Sequence, residues 1–240
     1  MKNLIKQITP PILLNFMKRI IKSNYKYHGA AMLDKKIQKY LNYTNGFFVE
    51  LGANDGISQS NTLYFEKYKE WKGILIEPTP HNYLKCLANR SSSNHIFCNA
   101  CVSLDYDSKF VEIAFANLMS SPIGLESDIS DPLSHAKSGK QFLNPTDKNF
   151  SFGAVAKTLN QILIDSNAPS RIDFLSLDVE GAEIEVLKGI DHKLFRFKYM
   201  CIECRNIEKM THYLEKHGYS FVEKLSIHDY LFKDLSWPNL

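Results

Sequence analysis

The chain has 240 residues, of which 44% are apolar and 12% aromatic, enough to bury a full hydrophobic core and to exclude an intrinsically disordered protein. The net charge of +3 is uneven, because residues 1–39 contain nine Lys or Arg against one acid and the other 201 residues are net acidic. That body of the chain has no basic stripe with interleaved aromatic residues, which argues against a nucleic-acid partner.

The basic N-terminal extension, residues 1–44, is predicted to be helical. Its segment PILLNFMKRIIK, residues 11–22, places apolar side chains on roughly one helical face beside three basic residues. The apolar run is shorter than the ~20 residues that span a bilayer, and no signal-peptide cleavage site follows it. We therefore expect a cytoplasmic protein whose extension either packs on the main domain or contacts the inner face of a membrane through residues 1–39.

The chain contains five cysteines, an odd number that fits a reducing compartment better than a disulfide framework. Two CxxC units, CNAC at residues 98–101 and CIEC at residues 201–204, raise the alternative of a four-cysteine zinc site. Both units lie on or at the end of predicted strands, where side chains three residues apart point to opposite faces. The sequence therefore predicts free, buried thiols.

From about residue 46, strand-like and helix-like blocks alternate, which predicts an α/β fold with a mostly parallel sheet. Strands are predicted at residues 47–51, 73–77, 95–102, 109–116, 172–177 and 199–204. Helices are predicted within residues 60–70, 81–90 and 154–165, after Gly181, and up to about Gly218. Two short C-terminal strands, YSFVEKL and HDYLF, are expected to form an antiparallel edge pair.

Residues 117–150 interrupt this alternation with a polar interval that has no sustained periodicity. An interval of that length inside a compact α/β domain is more typical of a lid or a variable cap than of a simple connection. We therefore expect it to form a cap or substrate-binding insertion within the domain of residues 45–240, and to decide which substrate is accepted.

A glycine-containing turn, ELGANDG at residues 50–56, follows the first predicted strand. Ligands of open α/β sheets bind at this edge, and glycine lets them approach the backbone closely. The turn lacks the Gly-x-Gly-x-x-Gly spacing of a dinucleotide site and the Lys-Ser/Thr pair of a nucleoside triphosphate site. Glu50 would repel a pyrophosphate, but it could accept a hydrogen bond from an ammonium group.

A second acid, Glu77, ends the second predicted strand, 21 residues beyond Gly56. A carboxylate at this place is suited to accept hydrogen bonds from both hydroxyls of a ribose. Glu50 and Glu77 together indicate a ligand with an ammonium group, an unphosphorylated ribose and no pyrophosphate. S-adenosylmethionine combines these features.

Three blocks of the sequence resemble the FkbM-type S-adenosylmethionine-dependent methyltransferases: FFVELGANDGISQSNT, WKGILIEPTPHNYLKCLANR and IDFLSLDVEGAEIEVLKGID. The resemblance spans about residues 45–232, and DVEGAE is its most specific part. It implies a Rossmann-like class I methyltransferase fold that transfers a methyl group to oxygen, usually to the hydroxyl of a sugar or of a polyketide-like product.

The resemblance also implies a cofactor site. Residues of the first block would surround the methionine part of the cofactor, namely Glu50, Gly52, Ala53, Asn54, Asp55, Gly56, Ser60, Asn61 and Thr62. Glu77 and the adjacent Pro78 would lie at the ribose, and Asn99 and Ala100, which follow the third strand, at the adenine.

Two carboxylates, Asp178 and Glu180, follow the predicted strand at residues 172–177. Methyl transfer to a hydroxyl requires alignment and a group that removes the hydroxyl proton, and both residues are placed for this at the ligand edge of the sheet. Either residue could instead cap the following helix. The pair could also contribute to a site for Mg²⁺, a cation that prefers oxygen ligands.

Two further carboxylates, Glu183 and Glu185, lie in the helix that follows. Helical spacing brings Ile184, Leu187 and Ile190 to one face. The pattern therefore predicts that Glu183 and Glu185 face solvent or the helix edge.

Three other residues are candidates for the acceptor pocket. His135 belongs to the expected cap, and Glu203 and Arg205 end the strand predicted at residues 199–204. Arg205 could equally pair with a carboxylate for a structural purpose.

The sequence thus predicts an S-adenosylmethionine-dependent O-methyltransferase that acts on a sugar hydroxyl of a surface glycan or of a glycan precursor. The alternative from another class is a methyltransferase-fold protein that has lost catalysis and serves as a glycan-binding or scaffold protein. A NAD or nucleotide-sugar enzyme is disfavoured by Glu50 and by the missing glycine fingerprint.

Overall fold

The computed structural model describes residues 26–143 and 148–238. The amphipathic segment predicted at residues 11–22 lies outside these ranges. The main sheet has seven strands: β1 (Phe47–Leu51), β2 (Lys72–Ile76), β3 (His95–Phe97), β8 (Arg171–Leu177), β9 (Arg196–Glu203), β10 (Tyr219–Lys224) and β11 (Asp229–Asp234). Four further strands form a second sheet: β4 (Ala100–Val102), β5 (Phe110–Phe115), β6 (Ser121–Ile123) and β7 (Phe150–Thr158).

Seven α-helices connect and cover these strands within the described ranges. They are α1 (Leu33–Ile37), α2 (Leu63–Lys69), α3 (Pro80–Asn89), α4 (Pro132–Ser138), α5 (Leu159–Asp165), α6 (Glu183–Lys188) and α7 (Ile207–Lys216). None of the described helices is long and apolar enough to cross a membrane.

The main sheet has the strand order β10-β11-β9-β8-β1-β2-β3. Strands β3, β2, β1, β8 and β9 are parallel, whereas β11 runs antiparallel to β9 and β10. The predicted Rossmann-like α/β fold with an antiparallel C-terminal edge is therefore confirmed. Because the chain moves outward from β1 to β3 and then returns to place β8 on the other side of β1, the carboxyl ends of β1 and β8 border the crevice where such sheets bind ligands.

The strands of the main sheet are buried on both faces. On one face, Val49 and Leu175 pack in a core cluster with apolar residues of α5, α6 and α7. On the other, Phe48 and Phe174 pack in a second cluster with residues of α1 and α2. Successive residues of β1 thus point to opposite faces, as the period of two in a strand requires.

The N-terminal part of the described chain contributes to the second of these clusters. Leu33, Ile37 and Leu41 are fully or almost fully buried there, with Trp71 and Phe65. Asp34 is also buried, and its carboxylate accepts hydrogen bonds from the backbone N–H groups of His28 and Lys35. Residues 33–41 therefore share one hydrophobic core with the main sheet.

The cysteines are free thiols, and all except the half-buried Cys98 are buried. Cys201 packs in the second cluster and Cys204 in the first, on opposite faces of the main sheet. This follows from the three-residue spacing along a strand. The geometry agrees with the expectation that the CIEC unit does not chelate a metal as a pair.

Two element predictions are corrected. The single strand predicted at residues 95–102 is two strands, because the chain leaves the main sheet after Phe97 and enters the second sheet at Ala100. The helix predicted at residues 154–165 begins only at Leu159, because residues 150–158 pair with β5 and β4 as strand β7. Strand pairing overrides the local helical preference there.

Candidate functional site

A cavity of about 210 Å³ lies at the carboxyl ends of the parallel strands. Residues from several parts of the chain line it. They are Ala30 and Leu33 near α1; Gly52, Asn54, Ser58, Gln59 and Asn61 after β1; Ile76, Glu77 and Pro78 at β2; Asn99, Ala100, Cys101, Ile113, Asn117, Leu118, Ser120, Pro122 and Leu125; and Asp178, Val179, Glu180, Ala182, Glu203 and Asp229. The cavity occupies the crevice that the strand order predicts.

Gly52 lets β1 and β8 meet at the floor of this cavity. Its backbone has φ +78°, in the left-handed region, and a Cβ atom there would lie 2.0 Å from the carbonyl oxygen of Asp178. The N–H groups of Gly52 and Ala53 both donate to the carbonyl of Ile76, at 3.1 Å. Only glycine fits this turn, because any side chain would displace the backbone that carries Asp178.

Glu50 lies beneath the turn rather than in the cavity. Its carboxylate accepts hydrogen bonds from the backbone N–H of Asn61 at 2.8 Å and from the hydroxyls of Ser60 and Thr62 at 2.9 and 2.6 Å. It also forms a buried ion pair with Arg90, 3.2 Å away. The expectation that Glu50 meets an ammonium group stays a prediction, since its carboxylate does not line the cavity and these partners use it to hold the start of α2 against β1.

The residues expected at a cofactor fall into two groups. Seven line the cavity, namely Gly52, Asn54, Asn61, Glu77, Pro78, Asn99 and Ala100. Six lie behind them and shape the turn, namely Glu50, Ala53, Asp55, Gly56, Ser60 and Thr62. Asp55, for example, accepts hydrogen bonds from the backbone N–H groups of Ile57 and Ser58, at 3.0 and 2.6 Å.

Glu77 presents its carboxylate to the cavity in a fixed orientation. One oxygen accepts the backbone N–H of Asn54 and the other that of Thr79, both at 2.8 Å. Burial raises the pKa of Glu77, and hydrogen bonds from Thr79 and from the backbone of Asn54 lower it in part. Since each carboxylate oxygen can accept two hydrogen bonds, both retain a position for a ligand hydroxyl.

Asp178, Glu180 and Glu203 form the acidic end of the cavity. Asp178 follows β8, and Glu203 ends the adjacent strand β9. Although the Asp178 side chain is exposed to the cavity, desolvation by the surrounding protein and the nearby charges of Glu203 and Glu180 raise its pKa well above the usual range. Burial and Glu203 raise the pKa of Glu180 to about 8, against the opposing charge of Arg205. In their ionised forms, Asp178 and Glu180 are therefore stronger bases than free carboxylates.

Three carboxylates are close enough to hold a cation. One oxygen each from Asp178, Glu183 and Glu203 lies within 4.8 Å of the other two. This group differs from the expected pair of Asp178 and Glu180, because Glu180 turns toward His135 and Glu183 takes its place. The donor set is composed of oxygen atoms, the type that Mg²⁺ prefers.

The solvent-facing positions predicted for Glu183 and Glu185 are wrong. Glu183 is 1% exposed, and its carboxylate accepts the backbone N–H groups of Val179 and Gly181 at 3.0 and 3.1 Å. Glu185 is buried and accepts a hydrogen bond from the Ser103 hydroxyl at 2.6 Å. The helix packs against the chain near β4 on the side that an isolated amphipathic helix would expose, and burial raises the pKa of Glu183 to about 8.

His135 and Arg205 lie behind the acidic end of the cavity. Nε2 of His135 is 2.7 Å from Oε2 of Glu180. A guanidinium nitrogen of Arg205 lies 3.4 Å from the same oxygen and 3.8 Å from Glu203. Of the three residues expected at the acceptor, only Glu203 lines the cavity, whereas His135 and Arg205 contact the carboxylates that do.

Several cavity residues had no sequence signal that marked them. Ala30 and Leu33 reach the cavity from the segment assigned to the extension, and Gln59 does so with a left-handed φ of +61°. Asp229 is different, because β11 pairs with β9 in a register that sets Asp229 opposite Glu203. The sequence did contain a signal for Asp229, because an acid that begins an antiparallel edge strand lies beside the carboxyl end of the neighbouring parallel strand.

The family comparison agrees with this geometry. The family model described as the methyltransferase FkbM domain matches residues 50–221, which include the turn after β1, Glu77 and the carboxylates after β8. The chain belongs to this family. FkbM-domain membership confirms the resemblance and identifies the protein as a methyltransferase. No match was found among curated protein sequences.

Solved structures similar to this FkbM-domain protein include several methyltransferases. A putative RNA methyltransferase from Pyrococcus horikoshii is 11% identical with a TM-score of 0.43, and the match covers 86% of this chain and 82% of that one. TrmK from M. capricolum, solved with S-adenosyl-homocysteine, is 12% identical with a TM-score of 0.37 and coverage of 82% and 66%. The N-terminal domain of human METTL16 is 9% identical with a TM-score of 0.38 and coverage of 84% and 67%.

Proposed function

We propose that this FkbM-domain protein is an S-adenosylmethionine-dependent O-methyltransferase that modifies a sugar hydroxyl of a surface glycan or of a glycan precursor. The observation that carries the proposal is a single cavity with Glu77 at the end of β2 and Asp178 and Glu203 at the ends of β8 and β9. A ribose-binding carboxylate and a proton-accepting carboxylate thus face the same space.

The residues of the cavity fit such a cofactor. Glu77 has an acceptor position left on each oxygen for the ribose hydroxyls. Asn99 and Ala100 would border the adenine, and Asn61 the methionine part. S-adenosylmethionine has a sulfonium and an ammonium group against one carboxylate, so it is a net cation, and a cavity lined by carboxylates favours positive charge.

The cofactor would supply a methyl group activated for transfer by its sulfonium. The chain would then have to orient the acceptor hydroxyl and take its proton as oxygen bonds to the methyl carbon. Asp178 is assigned this role because it follows β8 and faces the cavity beside Gly52. Glu180 and Glu203 would border the acceptor.

The charge of the cavity also supports an uncharged acceptor. Among residues 26–143 and 148–238, no lysine, arginine or histidine lines the cavity, whereas Glu77, Asp178, Glu180, Glu203 and Asp229 do. A phosphate or carboxylate placed beside the methyl group would meet repulsion from these acids. A neutral sugar hydroxyl would not. The same set of carboxylates argues against the alternative of a scaffold that has lost catalysis.

The proposal is tested by incubating the protein with radiolabelled S-adenosylmethionine and cell-surface polysaccharide extracts, with and without EDTA. We expect label in the polysaccharide fraction as a base-stable methyl ether. Loss of transfer with EDTA that added Mg²⁺ restores would assign a cation to Asp178, Glu183 and Glu203. Label only in protein or RNA would contradict the proposed acceptor.

A further inference from the structure

Residues 125–138, part of the cap expected at residues 117–150, are hydrogen-bonded to the loop that carries Glu180. The backbone N–H of Asp128 donates to the carbonyl of Gly181 at 3.0 Å. The Asp128 carboxylate accepts the backbone N–H of Arg205 at 2.6 Å. His135, on helix α4 of the cap, lies 2.7 Å from the Glu180 carboxylate. The cap thus contacts the two chain segments that end β8 and β9.

The conformation of this loop depends on a close fit to the cap. Glu180 has φ +56°, in the left-handed region that a residue with a Cβ atom rarely adopts. Gly181 follows with φ +106°, and a Cβ atom there would lie 2.5 Å from the hydroxyl of Ser127 and 2.9 Å from Ile129. The cap therefore packs directly on the loop, and the disfavoured backbone at Glu180 persists only while outside contacts hold it.

The contact to His135 fixes the direction of the Glu180 side chain. Both side chains are mostly buried, at 18% and 15% exposed. Arg205 is the other partner of the same carboxylate oxygen but lies farther away, at 3.4 Å. Burial and the charge of Arg205 lower the pKa of His135, which favours a neutral imidazole that hydrogen-bonds to Glu180.

We propose that His135 is a positioning residue that holds Glu180 against the acceptor, so that the acceptor site is complete only when the cap is docked on the loop. His135 does not line the cavity and acts through Glu180, which does. The same cap segment also places Leu125 in the cavity wall, so docking sets both the shape and the charge of the acceptor end. This inference rests on the proposed methyl transfer, because Glu180 borders the acceptor only in that reaction.

A double-mutant cycle on His135 and Glu180 tests the proposal. With radiolabelled transfer to polysaccharide extract, His135→Ala should lower kcat by about tenfold, and S-adenosylhomocysteine should bind within about twofold of its wild-type Kd. His135→Gln should recover most of the rate, because its amide can donate from nearly the position of Nε2. In a Glu180→Gln background, His135→Ala should change kcat by less than about twofold.

The control is His212→Ala, which removes an exposed histidine from α7 and should leave the rate unchanged. Equal loss of kcat from His135→Ala with and without Glu180→Gln would overturn the inference, as would a wild-type rate in His135→Ala. A wild-type protein that neither binds S-adenosylhomocysteine nor transfers label would instead refute the proposed function. The two failures are therefore distinguishable.

Discussion

Asp178 is the residue on which the proposed chemistry depends most. Replacing it with asparagine keeps the shape of the side chain but removes the proton acceptor at the acidic end of the cavity. Because a positioned base contributes roughly 10²–10⁴-fold, Asp178→Asn should lower kcat by about 100-fold or more.

Affinity separates this effect from damage to the fold. S-adenosylhomocysteine should bind Asp178→Asn within about twofold of wild type, because Asp178 is assigned to the acceptor rather than to the cofactor. Asp107→Asn, in an exposed loop, is the matched control and should behave as wild type. Near-normal turnover in Asp178→Asn would remove this residue from the mechanism.

Gly52 offers a prediction about backbone geometry. In Gly52→Ala the new methyl group would collide with the Asp178 carbonyl, in addition to the strain of a positive φ. Gly124 also has a positive φ, +79°, but a Cβ atom there would meet nothing within 4 Å.

Gly124→Ala should therefore lower the free energy of unfolding by about 1 kcal/mol, through backbone strain alone. Gly52→Ala should lower it by more than about 3 kcal/mol, because the collision adds to the strain. Urea unfolding of the two variants measures the difference. Equal losses would show that β1 and β8 do not meet as closely at Gly52 as described.

At the scale of elements, Arg90 joins the end of α3 to the turn after β1 and to α2. Its fully buried guanidinium pairs with Glu50 and Glu66 at 3.2 and 2.7 Å. Removing one partner of a buried ion pair leaves the other charge buried and unpaired. Because Arg90→Met would leave Glu50 in this state, it should lower the free energy of unfolding by about 3–5 kcal/mol.

A partly exposed ion pair provides the comparison. Lys157 and Asp165 are 2.5 Å apart, with side chains 27% and 38% exposed. Lys157→Met should cost no more than about 1 kcal/mol. A loss as large as that of Arg90→Met would contradict the assigned role of the buried pair.

The turn before α6 is predicted to respond to pH through Glu183. Its pKa is raised to about 8 in the folded protein, above the value of the unfolded chain, so the folded state binds more protons between about pH 4.5 and 8. The contribution of Glu183 to the free energy of unfolding is therefore present at low pH and is lost as the pH rises toward 8.

Glu183→Gln should lack this dependence. Between about pH 4.5 and 8, the free energy of unfolding of Glu183→Gln minus that of the wild type should increase by about 1.4 kcal/mol for each pH unit. Unfolding with urea at several pH values in the presence of EDTA gives the measurement. A constant difference across the window would mean that Glu183 titrates normally.

At the scale of the whole molecule, the sequence predicted the features that depend on residue type and spacing within short segments. The apolar runs that became β1 and β8, the glycine turn and the carboxylates at the strand ends followed from residue types and spacing. Parallel strands bring such ends to one edge, so the candidate site could be placed before its geometry was known.

What the sequence did not reveal depends on packing between distant segments. Residues 150–158 became a strand only because β5 and β4 lie beside them. Glu185 is buried against Ser103, 82 residues away, and Glu50 is paired with Arg90, 40 residues away. No local period encodes these contacts.

The charge distribution supports a further proposal at this scale, contact of residues 1–39 with an anionic membrane surface. The full chain should sediment with anionic vesicles at low salt, and Glu in place of Lys18, Arg19 and Lys22 should abolish this. A charge reversal at Lys67, Lys69 and Lys72 in the main domain serves as the control. No sedimentation of wild type at physiological salt would end the proposal.

The central claim is that the cavity binds S-adenosylmethionine through Glu77, and calorimetric titration with S-adenosylhomocysteine tests it most directly. We expect one site per chain in the wild-type protein and at least about tenfold weaker binding in Glu77→Ala, because the ribose would lose a charged acceptor for its hydroxyls. Absence of binding to the wild-type protein at high micromolar ligand would contradict the account.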